Sequence, residues 1–347
     1  MRSIQDPYPS FHSVAVDPEN NWTVMSDSNR GSLLSYERTA GTNSGEATKP
    51  RWQIRGPATG MMFIAGVALD PLNREVFTVD NDIGDRMEVF PYGLQGNVKP
   101  KRVLHVPHGS WGVSLNRRRD EIAISVEHIN SVVIYRREAR GGDAPLRVIR
   151  GPKTGLADPH GVHFDEIHDE ILVANHGNWA PATPPPSDAS ASGGRFQPPS
   201  ITTYAGTAEG DGEPVRVIQG AQTQLNWPMG IHVDAVHNEI AVASYGNSSV
   251  LIFRRTDHGD VAPVRVIGGN RTGIAGPMGV AIDTKNDELW VSNYGEHSAV
   301  VFSRTAQGNL APKRIIRNAP MGTPVVGFGN PGALAYDSKR DELLVPN

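Results

Sequence analysis

The stretch Pro159–Gly177, PHGVHFDEIHDEILVANHG, decides the fold of this chain. It predicts two short strands, His160–Asp165 and Glu170–Asn175, joined by a tight polar turn, because apolar residues alternate with polar ones and β-branched residues are frequent. The same pattern recurs along the whole sequence. Its other copies are Phe11–Ser28, Ile64–Asp82, Ser110–His128, Pro228–Gly246, Pro277–Gly295 and the incomplete Pro331–Asn347.

Each complete copy is followed by two further strand signals. The first is a β-branched and aromatic run such as Ser249–Arg255, and the second has the pattern Pro-x-Arg-Val-Ile, as in Pro263–Ile267. Successive copies are 53, 46, 49, 69, 49 and 54 residues apart when they are marked by Ser13, Gly66, Gly112, Gly161, Gly230, Gly279 and Ala333. Strand repeats of about this length are typical of propeller blades, so we predict four-stranded antiparallel blades.

The two ends of the chain predict how the ring closes. Met1–Asp6 resembles a fourth strand, and Pro331–Asn347 supplies only a first and a second strand. We therefore predict an all-β, seven-bladed β-propeller, a single domain over residues 1–347, whose closing blade is shared by the two termini. Such closure protects edge strands. The third strand of that blade is missing. Either the natural chain continues beyond Asn347, which we favour, or the closing blade has three strands.

A segment rich in proline, serine, alanine and glycine, at about residues 178–199, accounts for the 69-residue spacing. It shows no apolar periodicity, so we expect a surface loop between a second and a third strand. It serves either as a mobile connection or as a lid over a binding site.

Composition narrows the possible functions. The formal charge of -4 and the pI near 6.3 argue against a nucleic-acid partner. Without cysteine the chain has no disulfide and no zinc–thiolate site. No apolar run approaches the length of a membrane span. The first ten residues lack the apolar core of a signal peptide.

The repeated motif is Pro-x-Gly-[Val/Ile]-x-x-Asp followed by Asp-Glu-[Ile/Leu]-x-Val, as in Pro277–Val291. It resembles the bacterial β-propellers of the NHL-repeat and lactonase-like superfamily, although their usual pattern lacks the strong Pro-x-Arg-Val-Ile strand. The resemblance implies a propeller fold and a bacterial protein that is secreted or periplasmic. For activity it implies a wide range, which includes scaffolds, partner-binding modules, lactone hydrolases and lyases, so the fold does not decide the function.

The sequence places its least repetitive residues on one side of the ring, which we call the upper face. Here the first strand of each blade begins and the second strand ends. The first-strand starts carry His12, Ala65, Trp111, His160, Met229 and Met278. The second-strand ends carry Asp80, Val126, Asn175, Ser244 and Asn293, and the residues after them include Glu127, His176, Tyr245 and Tyr294.

Three interpretations of these residues remain open. The first is a transition-metal site of His12, His160 and His176, with Glu127 as a further ligand, because imidazole suits zinc, copper and iron. The two methionines at first-strand starts favour copper. His12 and His160 are three blades apart, so they are expected to face each other across the axis. The alternative is that these side chains line a channel and bind water.

The second interpretation is a calcium site, since carboxylate and amide oxygens suit that ion. Its candidate ligands are Asp80, Glu127, Asn175 and Asn293. The third is an apolar mouth that takes a protein segment or a small molecule. Its candidate residues are Trp111, Met229, Met278, Tyr245 and Tyr294. The alternatives are turn capping for the polar set and plain packing for the apolar one.

Other repeated positions indicate structural roles. His163 and His232 occupy a column of mostly alanine and are expected to fill space or make one hydrogen bond. An arginine recurs in the fourth strand of five repeats, with Trp52 in its place in the first, which indicates pairing or solubility. The leading functional hypothesis is a non-catalytic binding or scaffold module for a protein or small-molecule partner. The alternative is a hydrolase or lyase that uses a single copper, zinc or calcium ion at the axial mouth.

Overall fold

The structure is a computed structural model that describes residues 7–177, 179–181, 194–325, 335–340 and 342–344. Within these residues, six four-stranded antiparallel sheets form the blades of a β-propeller. The predicted propeller of four-stranded blades is therefore confirmed.

In every blade the four strands follow chain order from the axis outwards. Blade 1 consists of β1 (Phe11–Asp17), β2 (Trp22–Asp27), β3 (Ser32–Glu37) and β4 (Trp52–Arg55), and blade 2 of β5 (Ile64–Asp70), β6 (Glu75–Asp80), β7 (Arg86–Pro91) and β8 (Arg102–His105). Blade 3 consists of β9 (Ser110–Asn116), β10 (Glu121–Val126), β11 (Ser131–Arg136) and β12 (Arg147–Arg150). Blade 4 consists of β13 (Pro159–Asp165), β14 (Glu170–Asn175), β17 (Ser200–Ala205) and β18 (Arg216–Ile218). Blade 5 consists of β19 (Pro228–Asp234), β20 (Glu239–Ser244), β21 (Ser249–Arg254) and β22 (Arg265–Gly268), and blade 6 of β23 (Pro277–Asp283), β24 (Glu288–Asn293), β25 (Ser298–Ser303) and β26 (Arg314–Arg317).

Four short strands and two turns of 3-10 helix lie outside the blades. The long segment between β14 and β17 contains the paired strands β15 (Trp179–Pro181) and β16 (Gly194–Phe196). Near the end of the chain, β27 (Ala335–Asp337) pairs with β28 (Glu342–Leu344) in a separate two-stranded sheet. The 3-10 turns are Ala221–Thr223 and Tyr245–Asn247.

The first strands contact one another in a closed ring, in the order β1, β5, β9, β13, β19, β23 and back to β1. Glycine allows this close approach. A Cβ atom at Gly161 would lie 2.4 Å from the carbonyl oxygen of Met229, and one at Gly279 would lie 3.0 Å from Cα of Ser13 in blade 1. The recurrent Gly therefore marks the place where neighbouring backbones touch.

A serine in the second strand ties neighbouring blades together. Ser125 accepts a hydrogen bond from the amide of Gly112 and donates to the carbonyl of His160 in blade 4. Ser292 repeats this arrangement, since it accepts from Gly279 and donates to the carbonyl of His12, at 2.9 Å in both cases. The contact between blades 6 and 1 thus has the same form as the contact between blades 3 and 4.

Ion pairs repeat along the outer rim. In the cluster that we call the closing rim cluster, the Glu288 carboxylate accepts hydrogen bonds from Arg314 of its own blade, at 2.7 and 2.8 Å, and from Arg38 of blade 1, at 2.8 Å. Lys313 adds a third cation at 3.1 Å. The fourth-strand arginines therefore pair within their blades. The other pairs are Arg102–Glu75, Arg147–Glu121, Arg216–Glu170 and Arg265–Glu239.

Aromatic residues replace this cluster between blades 1 and 2. Trp22 stands where the other blades have glutamate, and Trp52 stands where they have arginine. Their ring centroids are 5.5 Å apart, and Tyr92 of blade 2 packs edge-on against Trp22 at 4.5 Å. The same place in the fold is thus filled either by a charged network or by apolar rings.

The prediction of seven blades with a shared closing blade is wrong. The described residues contain six hydrophobic clusters, each between two neighbouring blades, and one of them joins blade 6 to blade 1 through Trp290 and Phe11. Together with the Gly279–Ser13 contact and the Arg38–Glu288 pair, this cluster closes the ring without a further blade. Met1–Asp6 lies outside the described residues, and the extent of the domain over 1–347 stays a prediction.

Candidate functional site

The upper face is built from the first-strand starts and the loops that follow the second strands. In all six blades the register shifts near the start of the first strand, beside the end of the second, for example between Pro159 and Val162. This irregularity turns the side chain at the start of the strand toward the axis. The axial positions are occupied by His12, Ala65, Trp111, His160, Met229 and Met278.

A row of rings, which we call the aromatic row, crosses the upper face. His12 contacts Trp111 at 4.9 Å between ring centroids, and Trp111 contacts His160 at 4.3 Å. The row continues from His160 to His176 at 4.8 Å and from His176 to Trp227 at 5.1 Å. Tyr245 ends the row, 6.1 Å from Trp227 and nearly parallel to it. Residues from blades 1, 3, 4 and 5 thus meet in one connected surface.

Two residues of this face have a backbone conformation that favours glycine. The position before the first-strand proline is Gly276 in blade 6, with φ of 53°. Asp158 and Trp227 occupy the same position in blades 4 and 5 with φ of 54° and 51°. Such a conformation disfavours most side chains, and it is least expected for a bulky one. Trp227 is also 50% exposed, so burial of its ring does not offset the free-energy cost of this backbone conformation.

Acidic and imidazole groups converge between blades 3 and 4 in a group that we call the Glu127 cluster. Oε2 of Glu127 lies 3.2 Å from Nε2 of His160, and Oδ2 of Asp158 lies 3.2 Å from Nδ1 of His176. Atoms of Glu127, Asp158 and His160 lie within 4.8 Å of one another, close enough to hold one metal ion. Asn81 donates a hydrogen bond of 3.1 Å to Oε1 of Glu127 and so orients the carboxylate.

Burial changes the charges in this cluster. Desolvation lowers the pKa of His160 to about 4, although the carboxylate of Asp158 acts against it. Desolvation also raises the pKa of Glu127 to about 7, and the Asn81 hydrogen bond only partly compensates. The cluster therefore combines a neutral imidazole with a carboxyl group that exchanges its proton near neutral pH. It is suited to bind a cation or to transfer a proton.

A second, more exposed group adjoins the Glu127 cluster. Asp82, His108 and His128 lie close enough to share an ion. Hydrogen bonding to Asp85, at 3.0 Å, raises the pKa of His108. Nε2 of His128 lies 3.1 Å from Oε1 of Glu127, which links the two groups. The two histidines are about half exposed, so this group is open to solvent.

The structure brings together two of the three histidines predicted as metal ligands. His160 and His176 share the Glu127 cluster, whereas His12 lies in blade 1, and Trp111 contacts both His12 and His160. The Nδ1 atom of His12 lies 3.1 Å from the carbonyl of Ala65, and its Nε2 atom is buried without a hydrogen-bond partner among the described residues. Desolvation lowers the pKa of His12 to about 4. His12 is thus an axial ring contact outside both candidate groups.

The predicted oxygen ligands from second-strand ends do not reach the surface. Asp80, Asn175 and Asn293 are fully buried. Their side-chain oxygens accept hydrogen bonds from Met62, Ala157 and Ala275, in the segments that lead to the first strands. They are thus engaged inside the blades, and only Glu127 of this set takes part in a candidate site.

The predicted apolar residues are divided between the face and the interior. Trp111, Tyr245 and Tyr294 are partly exposed, whereas Met229 is buried. Met278 lines the wall of an axial channel of about 450 Å³ together with Met229. His163 and His232 also line this channel, with ring centroids 4.4 Å apart. These two histidines therefore face the axis and each other.

Sequence reasoning missed Asp158, Trp227, Asp82, His108 and His128. For Asp158 and Trp227 a signal exists in the sequence, because each directly precedes the proline of a repeat, where Gly276 stands in blade 6. An aspartate and a tryptophan at a position that is glycine in blade 6 indicate residues that serve more than the fold. The other three lie in loops of different sequence, and only the ring brings them together.

None of the helical segments in the described part of the chain is long or apolar enough to cross a membrane. No family model matches the chain, and no curated protein matches it.

Several solved structures are similar over most of their length. One is a functionally unknown protein from Desulfotomaculum acetoxidans, with a TM-score of 0.55 and 16% identity over 89% of this chain and 90% of that chain. A chain of the nidogen/laminin complex has a TM-score of 0.55 and 16% identity, over 89% of this chain and 94% of its own. The WD40 β-propeller domain of Doa1 has a TM-score of 0.54 and 9% identity, over 98% and 91%. At such identities the likeness shows the β-propeller fold alone.

Proposed function

We propose that the protein is a non-catalytic binding module that engages a protein partner through its upper face, with Trp227 as the main contact. The observation that carries this proposal is the half-exposed Trp227 ring in a left-handed conformation, where another blade has glycine. Neither packing nor backbone preference explains a tryptophan at this place. Tryptophan is also among the residues that most often dominate protein interfaces.

The surroundings of Trp227 support a protein interface. His176 and Tyr245 flank the ring, and the Glu127 cluster begins directly beyond His176. The face therefore has an aromatic centre with polar and charged groups beside it, which is the usual arrangement of interfaces between proteins. As an analogy, one similar structure comes from a complex of two proteins, nidogen and laminin.

The proposal includes kinship with bacterial NHL-repeat or lactonase-like propellers, which rests on the repeat motif. It also includes a secreted or periplasmic location, which rests on that kinship. The alternative function, a metal-dependent hydrolase or lyase, stays a prediction from the sequence, because it requires both a bound metal and a substrate.

A photo-crosslinking residue at position 245, beside Trp227, tests the proposal with Trp227 intact. The same residue at position 72 is the matched control, since Leu72 is 78% exposed in the turn between β5 and β6, on the opposite, lower face of the ring. We expect a protein of the source organism to be captured from position 245 and not from position 72. Its dissociation constant, measured by calorimetry, should rise about 30-fold in Trp227→Gly, the effect of a contact worth about 2 kcal/mol. Equal capture from both positions, or equal affinity of Trp227→Gly and the wild type, would overturn the proposal.

A further inference from the structure

In the Glu127 cluster, Nε2 of His160 and a carboxylate oxygen of Glu127 face each other and need a proton or a cation between them. Nδ1 of His160 lies 3.0 Å from the carbonyl oxygen of Asp158, and a carbonyl only accepts, so Nδ1 carries the proton. The ring is 5% exposed, and Nε2 is then the nitrogen that offers a lone pair in the neutral imidazole. This lone pair faces a carboxylate oxygen of Glu127 at 3.2 Å. Two acceptors at this distance require a proton or a cation between them.

A second nitrogen–oxygen pair, between His176 and Asp158, lies beside the first. Nδ1 of His176 is buried and has no hydrogen-bond partner among the residues that the structure describes. It nevertheless lies 3.2 Å from Oδ2 of Asp158, in an orientation that does not form a hydrogen bond. Two nitrogen–oxygen pairs in one cluster thus have the same separation.

That separation fits a shared metal ion. Zinc binds imidazole nitrogen and carboxylate oxygen at about 2.0–2.2 Å, so two ligands at a tetrahedral angle lie about 3.3 Å apart. The mixture of nitrogen and oxygen ligands suits zinc and its neighbours in the first transition row, whereas calcium prefers oxygen alone.

We propose that Glu127, Asp158 and His160, with His176 as the fourth ligand, bind one divalent first-row transition-metal ion between blades 3 and 4. The ion takes the place of the proton that Glu127 and His160 otherwise share. This assignment keeps His160 and His176 as ligands, replaces His12 with two carboxylates, and moves the site from the axis to a seam between blades.

The groups around the cluster are those expected to orient metal ligands. The Asp158 carbonyl fixes the tautomer of His160, and Asn81 holds Glu127 by its other oxygen. The amide of Asp158 donates to Asn130 at 2.7 Å, which holds Asp158 in its left-handed conformation. An aspartate in this left-handed conformation is less stable than the glycine that stands at the same position in blade 6. Ion binding by its carboxylate explains why an aspartate is present here.

Metal titration of the chelator-treated, full-length protein tests the site. Zinc is followed by calorimetry, and cobalt is followed by its visible absorption, which reports the ligand geometry without any assay of activity. We expect one ion per chain and a higher melting temperature with zinc, since the ion binds the folded state. Glu127→Gln keeps the size of the side chain and should weaken zinc binding by at least about 100-fold, because even indirect partners of a ligand contribute about 10–100-fold.

Two control variants make the result specific. His237→Ala removes an aspartate–histidine pair on the lower face, where Nδ1 lies 2.7 Å from Oδ2 of Asp234, and should leave zinc binding unchanged. His108→Ala removes one histidine of the exposed group next to the cluster. It should lower the affinity for zinc by less than Glu127→Gln does. Zinc binding that is lost in His108→Ala and kept in Glu127→Gln would overturn the assignment. So would a wild-type protein that binds no zinc, because Glu127 and His160 would then share only a proton.

Metal binding and partner binding can fail separately. Trp227→Gly should weaken binding of the partner about 30-fold and retain the ion, whereas Glu127→Gln should lose the ion with Trp227 intact.

Discussion

The outer rim and the upper face of the propeller differ in how closely their contacts repeat from blade to blade. On the rim, one contact recurs between blades: a largely buried glutamate binds the arginine of its own blade and often an arginine of the next. The upper face repeats less: blades 5 and 6 share a methionine and a tyrosine, but the glycine of blade 6 is aspartate in blade 4 and tryptophan in blade 5. Repetition marks contacts that stabilise the ring, and departures from it mark residues that cost stability. The comparison therefore separates the residues that hold the fold from the candidate functional residues.

The largest effect is expected on the rim, in Glu288→Gln. Burial alone would raise the pKa of Glu288, but Arg314, Lys313 and Arg38 hold it at about 2. Removal of this carboxylate leaves nearly buried cations unpaired, so the free energy of unfolding should fall by about 3–5 kcal/mol in denaturant titrations. The matched control is Glu37→Gln, whose pair with Arg51 is half exposed and should contribute at most about 1 kcal/mol. Equal losses in both variants would contradict the stabilising role of the rim.

A smaller effect of opposite sign is expected beneath the upper face, in Glu88→Leu. Glu88 is fully buried and its Oε1 atom has no hydrogen-bond partner in the described structure, whereas the matching residues Leu34 and Leu251 are apolar. The substitution should raise the free energy of unfolding by about 1–3 kcal/mol, the usual cost of an unsatisfied buried group.

The pH dependence gives an independent measure of the same residue. Burial raises the pKa of both Asp80 and Glu88 above their ordinary values of 3.8 and 4.5, and the charge of Asp80 raises that of Glu88 further. The folded state therefore keeps protons on this pair that the unfolded state has released, so the contribution of the pair to stability should fall as the pH rises from about 4 through neutrality. The buried His12 and His160, whose pKa is lowered, act in the opposite direction in both proteins. The stability that Glu88→Leu gains over the wild type should therefore increase with pH. Equal slopes in denaturant titrations across this pH range would show that Glu88 is already satisfied.

The smallest effect is expected for Trp227→Gly. Glycine adopts the left-handed conformation freely, so the fold should be as stable as the wild type or more stable by up to about 1 kcal/mol, even though it loses ring contacts. The control is Gly276→Ala, which should destabilise, because its Cβ atom would lie 2.9 Å from Cε2 of Tyr245. A large loss of stability in Trp227→Gly would show that the ring is needed for packing, and the contrast between the two surfaces would fail at this residue.

The sequence pointed to several residues of the candidate site, but not to the residues that contact them there. His160, His176 and Glu127 stand out because they break a repeated pattern at known places in a blade. Asp158 is two residues before His160, yet its role depends on a left-handed backbone, of which the glycine at the matching position, Gly276, is a weak signal. The reverse holds for the oxygen ligands predicted at the second-strand ends. The sequence located Asp80, Asn175 and Asn293 within their blades, but these residues are buried, so their oxygens lie inside the blades.

The sequence by itself determined the four-stranded blade and the place of the recurrent arginines, because strand pairing within a blade involves residues close in the chain. The tertiary structure decided that six blades close the ring, since closure depends on how far each blade is rotated from the last. That rotation is fixed by packing between blades, and it ends where Gly279 meets Ser13 and Glu288 meets Arg38. The repeat spacing predicted that His12 and His160 face each other across the axis, but only the closed ring shows Trp111 packed against both of them.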